Sequence, residues 1–287
     1  MRLNGRRFSS NVSDRRGGGG MKIAGIGGIG GMVLIALIIW LAGGNPLSVL
    51  DQSSPFATAD QIRGDYQPTP KEEEYAAFVS QILAGTEDVW GEEFKKMGMK
   101  YKEPKLVMYT GSVNSACGNA TAQVGPFYCS ADETIYIDLS FFEQMEKEMG
   151  AGGDFAYAYV IAHEVGHHVQ HLLGTLESAH SAMASMSEKE ANQISVRTEL
   201  QADFYAGVWA YNDNRMFNSL EDGDIEEGLN AASKIGDDYL QKQARGYAVP
   251  ETFNHGRSDQ RVRWLKRGAS TGDIRQGDTF SQPYSSL

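Results

Sequence analysis

In the stretch Ala162-His163-Glu164-Val165-Gly166-His167-His168-Val169-Gln170-His171, two histidines stand four residues apart and a glutamate directly follows the first. If the stretch is helical, His163 and His167 lie about 40° apart around the axis and one turn apart along it. Both imidazoles then share one face and can reach a single zinc ion at about 2.0–2.1 Å. Glu164 stands beside them and can take a proton from the attacking water without being a ligand. The apolar neighbours Val160, Ile161 and Val165 put this helix inside a domain, where unpaired polar groups are costly. The chemically silent alternative is two satisfied core histidines beside an exposed glutamate. His168 is rotated about 100° from His167 and cannot easily share its metal. A pair made of His167 and His171 would lack an adjacent glutamate, which leaves His171 a supporting or surface residue.

A two-histidine site needs a third ligand, and Thr198-Glu199-Leu200-Gln201-Ala202-Asp203-Phe204 offers one. Glu199 and Asp203 are again four apart and share a helix face. Two carboxylates among Leu200, Ala202, Phe204 and Ala206 are expensive to bury unless something cationic neutralises them. A zinc ion does so for Glu199. Asp203, one turn on, is placed to accept a hydrogen bond from the free ring nitrogen of a histidine ligand, His163 in the first instance, which fixes its tautomer. A solvated acidic face is the bland alternative.

HExxH followed downstream by ExxAD resembles the gluzincins, in which a glutamate completes a two-histidine zinc site. The longer stretches HEVGHHVQHLLG, ELQADFYAGVWA and HGRSDQRVRWLKRG, together with CG…GPFYC…IYIDLSFF, resemble the bacterial neutral zinc metallopeptidases of the YpfJ-like family. The likeness covers most of residues 45–275. It implies zinc ligands at His163, His167 and Glu199 with Glu164 as general base, and it implies little about substrate. The metzincin pattern fits less well, because it calls for glycine at position 170 and histidine at 173, where this chain has Gln170 and Leu173. His255 is the only histidine outside 163–180 and lies in Phe253-Asn254-His255-Gly256-Arg257. In a gluzincin-like site a donor from the C-terminal half often stabilises the developing oxyanion. His255 or Arg257 could do so here, or the segment could be a plain helix-entry loop with Ser258 as N-cap.

Elements must hold these residues. Asp154 is expected to cap a helix over 155–173, with Gly174 just past its end. Ser187 and Glu190 form a capping box that opens a long helix towards Tyr211. Thr69-Pro70 starts a helix to about residue 84, with Tyr75, Phe78, Val79 and Ile82 on one face, and Thr86 is expected to cap a second short helix ending near Gly98. Residues 105–110 and 134–138 are β-type runs, and 139–149, 224–245 and 258–267 read as helices. The class is α+β: a zincin-like domain with a small mixed sheet beside helix 155–173 and a helical C-terminal subdomain. The run 134–138 is expected at the sheet edge beside the metal, where an extended peptide can pair with it.

The chain has 287 residues and a formal net charge of −11. Arg2, Arg6, Arg7, Arg15, Arg16 and Lys22 precede residue 44 against the single acid Asp14, leaving 20 basic and 36 acidic residues, about −16, in the remainder. So acidic a body excludes nucleic-acid binding, which needs cations against phosphates. Residues 23–42, IAGIGGIGGMVLIALIIWLA, carry no charge, and as a helix they reach about 30 Å, the thickness of a bilayer core. They read as a transmembrane anchor rather than a cleaved signal peptide, whose apolar region is shorter. The expected organisation is a basic, disordered cytoplasmic tail (1–22), a transmembrane helix (23–42), a linker (43–68) and a zinc metallopeptidase domain (69–287). The flanking basic residues favour a single pass through the cell membrane with the N-terminus cytoplasmic and the domain outside. There, Cys117 and Cys129 read as a disulfide. The expected cofactor is zinc and the expected partners are a peptide or protein substrate and the membrane. Two other functions fit the same residues. One is a zinc hydrolase of non-peptide amides. The other is a non-catalytic, membrane-tethered binding module with a structural zinc, which would normally show four protein ligands where three are apparent.

Overall fold

The computed structural model describes residues 1–17 and 66–287. The expected anchor at 23–42, the linker up to residue 65 and the end of the basic tail lie outside the described residues. Helix α1, Pro70–Lys96, opens with a full capping box: Glu72 N donates to the Thr69 hydroxyl at 3.2 Å and Thr69 N donates back to the Glu72 carboxylate at 2.7 Å. It runs through the expected break at Thr86. That hydroxyl is satisfied inside the helix by donating to the Leu83 carbonyl at 2.7 Å, so it competes with no backbone bond and ends nothing.

Strands β2 (Lys105–Tyr109) and β6 (Thr134–Asp138) pair in parallel at the centre of a four-stranded sheet ordered β1-β2-β6-β5. Strand β5 (Phe127–Cys129) runs antiparallel along β6, and β1 (Val12–Asp14) runs parallel along β2. The run 134–138 is therefore interior, all five residues buried, and the edge on that side belongs to β5. Alternate residues of the central strands point to opposite faces. Leu106, Met108, Ile135 and Ile137 face the helices, while Val107, Tyr109 and Tyr136 pack with Val113 and Ala120 of a separate hairpin. That hairpin is β3 (Ser112–Ser115) with β4 (Gly118–Thr121), and the Cys117–Cys129 disulfide, Cα–Cα 5.8 Å, ties its turn to β5.

The remaining helices are α2 (Ser140–Lys147), α3 (Asp154–Leu172), α4 (Thr175–Met183), α5 (Glu188–Phe217), α6 (Asp224–Lys234), α7 (Asp237–Arg245) and α8 (Ser258–Thr271). The class is α+β, as the sequence implies. Helix α3 crosses the middle of the core, buried on almost every side among α1, the sheet, α5 and α6. No helix among the described residues is long and apolar enough to cross a membrane.

Residues 1–17 are not the disordered tail that their Arg, Ser and Gly content implies. Val12 sits opposite Leu106 in the sheet, and Arg6, Arg7 and Arg16 pair with Asp213, Glu87 and Glu73 of the helical body. Composition marks a segment unable to build its own core. It does not register a core supplied by the rest of the chain.

Candidate metal centre

Helix α3 presents His163 and His167 with their ring centroids 4.8 Å apart, and α5 presents Glu199 to both. Glu199 Oε2 lies 3.2 Å from His163 Nε2, and its Oε1 lies 3.4 Å from His167 Nε2. One ligand atom from each of the three residues falls within 4.8 Å of the other two. Such an approach requires the two helix backbones to touch. A Cβ on Gly166 would lie 2.9 Å from the Ala202 carbonyl oxygen, so the small residues between the ligands are the contact that brings α5 to α3.

Each imidazole is oriented from behind. Asp203 Oδ1 can only accept, so the 2.8 Å contact from His163 Nδ1 fixes the proton on Nδ1. Gln170 donates its amide to the Thr198 carbonyl at 2.8 Å, which turns its oxygen to accept from His167 Nδ1 at 2.9 Å. With Nδ1 committed behind, both rings turn Nε2 towards Glu199, the nitrogen through which such an imidazole ligates a metal. Without a cation between them, burial opposes charge on His163, yet Asp203 and Glu199 outweigh it and push its pKa up to about 10. Burial likewise pushes Glu199 up, and the two histidines more than reverse it, well below the usual carboxylate range. This is a donor set that calls for positive charge in its centre. Two imidazoles and a carboxylate fit zinc.

Asp203 has no exposed surface and is held by more than His163. The Tyr159 hydroxyl donates to it at 2.6 Å, and Arg261 donates through Nε at 2.8 Å and Nη2 at 2.9 Å. Burial alone would raise the Asp203 carboxyl, and the guanidinium with His163 holds it below its ordinary value. Arg261 reaches it because α8 and α5 cross at Gly207 and Gly268, where a Cβ on either would meet the other backbone at 2.3 and 2.1 Å. Sequence reading assigned no role to Tyr159, Gln170 or Arg261. The only available signal for Arg261 was its place in the HGRSDQRVRW stretch.

Glu164 is buried beside the ligands, and that burial raises its pKa above the ordinary carboxylate value. His255 lies within reach of the Glu199 charge. Its backbone N donates to Asp237 Oδ2 at 2.7 Å and its Nδ1 stands 3.3 Å from Asp237 Oδ1. Burial opposes the imidazolium, Asp237 outweighs it, and the net direction is up. Arg257, the other expected oxyanion donor, turns away: it pairs with Asp259 at 2.8 Å and is 44% exposed. It also occupies the N-cap position of α8, one residue before the expected Ser258. His168 and His171 point elsewhere, to Tyr128 and Lys102 and to Glu177 respectively.

A family model described as "Putative neutral zinc metallopeptidase" matches residues 1–280. The uncharacterised protein YpfJ of Escherichia coli K12 is 48% identical over 290 residues, covering 98% of this chain and 99% of the relative. An uncharacterised protein of Mycobacterium bovis is 39% identical over 253 residues, 84% of each chain. No solved structure matches.

Proposed function

The chain belongs to this neutral zinc metallopeptidase family, and from that premise we propose that it hydrolyses peptide bonds, with zinc held by His163, His167 and Glu199 and Glu164 as general base. The observation that carries the reading is the convergence of those three ligand groups from two helices, each imidazole oriented by its own acceptor. Three protein ligands is the number used by catalytic zinc sites, which keep a position open, whereas structural sites use four. A zinc ion bound there supplies Lewis-acid polarisation of the scissile carbonyl and acidifies water.

The chain's own residues do the rest. Glu164, with its pKa raised by burial, takes the proton of the attacking water and passes it to the leaving amine. His255, held by Asp237, directs positive charge to the carbonyl oxygen as it becomes an oxyanion. Asp203, Tyr159 and Arg261 keep His163 in one tautomer. The outer edge of β5 would offer backbone groups to an extended peptide. Attachment to a membrane through residues 23–42 is part of the same proposal.

The test compares the zinc-loaded full chain with Glu164→Gln on a proteome-derived peptide library. Cleavage sites that appear only with the wild type support the peptidase. Equal cleavage by both proteins, or none by a fully loaded wild type, overturns it, and the second outcome favours the zinc-holding module without catalysis.

A further inference from the structure

We infer that residues 1–17 and the body 66–287 reside in the same compartment, so that the two flanks of the apolar stretch 23–42 emerge on one face of any membrane it meets. The segment is built into the body as a structural part. In the β1–β2 pairing Val12, Ser13 and Asp14 stand opposite Leu106, Val107 and Met108. The ladder continues at both ends, with Leu106 N donating to the Asn11 carbonyl at 2.9 Å and Arg15 N to the Met108 carbonyl at 2.8 Å. Arg6 makes a two-pronged pair with Asp213 at 2.7 and 3.2 Å, and Asp213 is only 1% exposed. Arg7 bridges Glu87 at 2.9 Å and Asp88 at 2.7 Å. Ser9 is buried and donates its hydroxyl to Glu87. Arg16, 4% exposed, lies between Asp14 and Glu73.

The body is shaped to receive the segment. Gly85 lies inside α1, where glycine is less favourable than alanine. A Cβ there would stand 2.5 Å from Arg6 Nη2 and 2.9 Å from Asp213 Oδ1. The missing side chain is the notch that the Arg6–Asp213 pair fills.

A single crossing between residues 17 and 66 would put the two pieces of this interface on opposite faces. Exchange between copies does not help, because copies inserted alike place every segment across the membrane from every body. The charge bias that favours a cytoplasmic N-terminus rests on basic residues held at the membrane face. Arg2, Arg6, Arg7 and Arg16 are instead paired with Glu221, Asp213, Glu87 and Glu73. Four of the six basic residues that suggested the orientation are thus engaged by the body.

Two measurements decide it. Cysteines added one at a time at the exposed positions, Ser10→Cys and Lys100→Cys, in the full chain expressed in bacteria, are treated with a membrane-impermeant maleimide in spheroplasts and in inverted vesicles, and labelling is counted above that of the unaltered chain with its Cys117–Cys129 pair. Labelling of both from the same side, or of both only after lysis, is the expected result. Labelling from opposite sides overturns the inference. Independently, Gly85→Ala in the purified full chain should change Tm less favourably than the same substitution in an Arg6→Ala background, where the added Cβ no longer meets the guanidinium. An effect of equal sign and size in both backgrounds overturns the docking. Peptidase activity enters neither readout.

Discussion

Asp203 is a fully buried carboxylate that accepts hydrogen bonds from Tyr159, Arg261 and His163 at once. Among the described residues Arg261 is its only guanidinium partner, so Arg261→Met leaves a charge unpaired in the core, typically about 3–5 kcal/mol of stability. The same change lets Asp203 and His163 drift, and zinc affinity should fall roughly 10–100-fold. Competition with a chromophoric chelator measures this, and Arg261→Lys should rescue it poorly because the two-pronged geometry is lost. An unchanged zinc affinity would show that Asp203 is positioned without its arginine. His255→Ala is expected to lower kcat about 10²–10³-fold while zinc content stays the same, and undiminished turnover would remove it from the mechanism. The pairs His163 with His167 and Glu199 with Asp203 were readable in the sequence because i, i+4 spacing puts both members of a pair on one helix face, and the family resemblance joined the two pairs. Arg261 was not readable, because it stands 58 residues from Asp203 with no period linking them.

At the scale of elements, the site depends on how closely α3 can lie to its neighbours. Gly166→Ala places a methyl 2.9 Å from a backbone carbonyl of α5, which no side-chain rotation can relieve. The expected result is a lower Tm together with weaker zinc binding, and loss of neither would mean the helices can slide apart freely. On its opposite face α3 is fastened to the edge strand through His168, whose Nε2–H donates to the Lys102 carbonyl at 2.6 Å and whose Nδ1 accepts from the Tyr128 hydroxyl at 2.8 Å. Burial pushes this imidazole from its ordinary 6.5 down to about 4. Between those values the unfolded chain holds the extra proton, so stability falls as pH drops through that window and is recovered above it. Thermal unfolding followed from pH 7 to pH 4 should show this decline, flattened in His168→Gln. An equal decline in the variant would place the acid sensitivity elsewhere. The helix starts at Thr69 and Ser187 were legible because a capping box is a local signal. The edge position was not. It depends on which strand finds a second partner, and three residues at 127–129 are too few to announce a strand.

For the molecule as a whole, the distribution of charge carried a correct observation and an incomplete meaning. The basic N-terminal segment and the acidic body were evident, but the pairs that join them span 81 residues for Arg7 with Asp88 and 207 for Arg6 with Asp213. No window-based reading connects such positions. The candidate metal centre is likewise a long-range device, since its donor groups come from two helices that belong to one core. A ligand that binds only the folded state stabilises the whole cooperative unit by RT ln(1 + [L]/Kd), about 4.1 kcal/mol at a thousandfold excess over Kd. Zinc added to chelator-stripped protein should therefore raise the Tm of the entire chain in a single transition. The response should survive in Glu164→Gln, which keeps every ligand, and disappear in Glu199→Ala, which removes the one that bridges α5 to α3. Zinc stabilisation that persists without Glu199 would mean the ion binds through other residues, and the division between ligand and base drawn for this site would have to be redrawn.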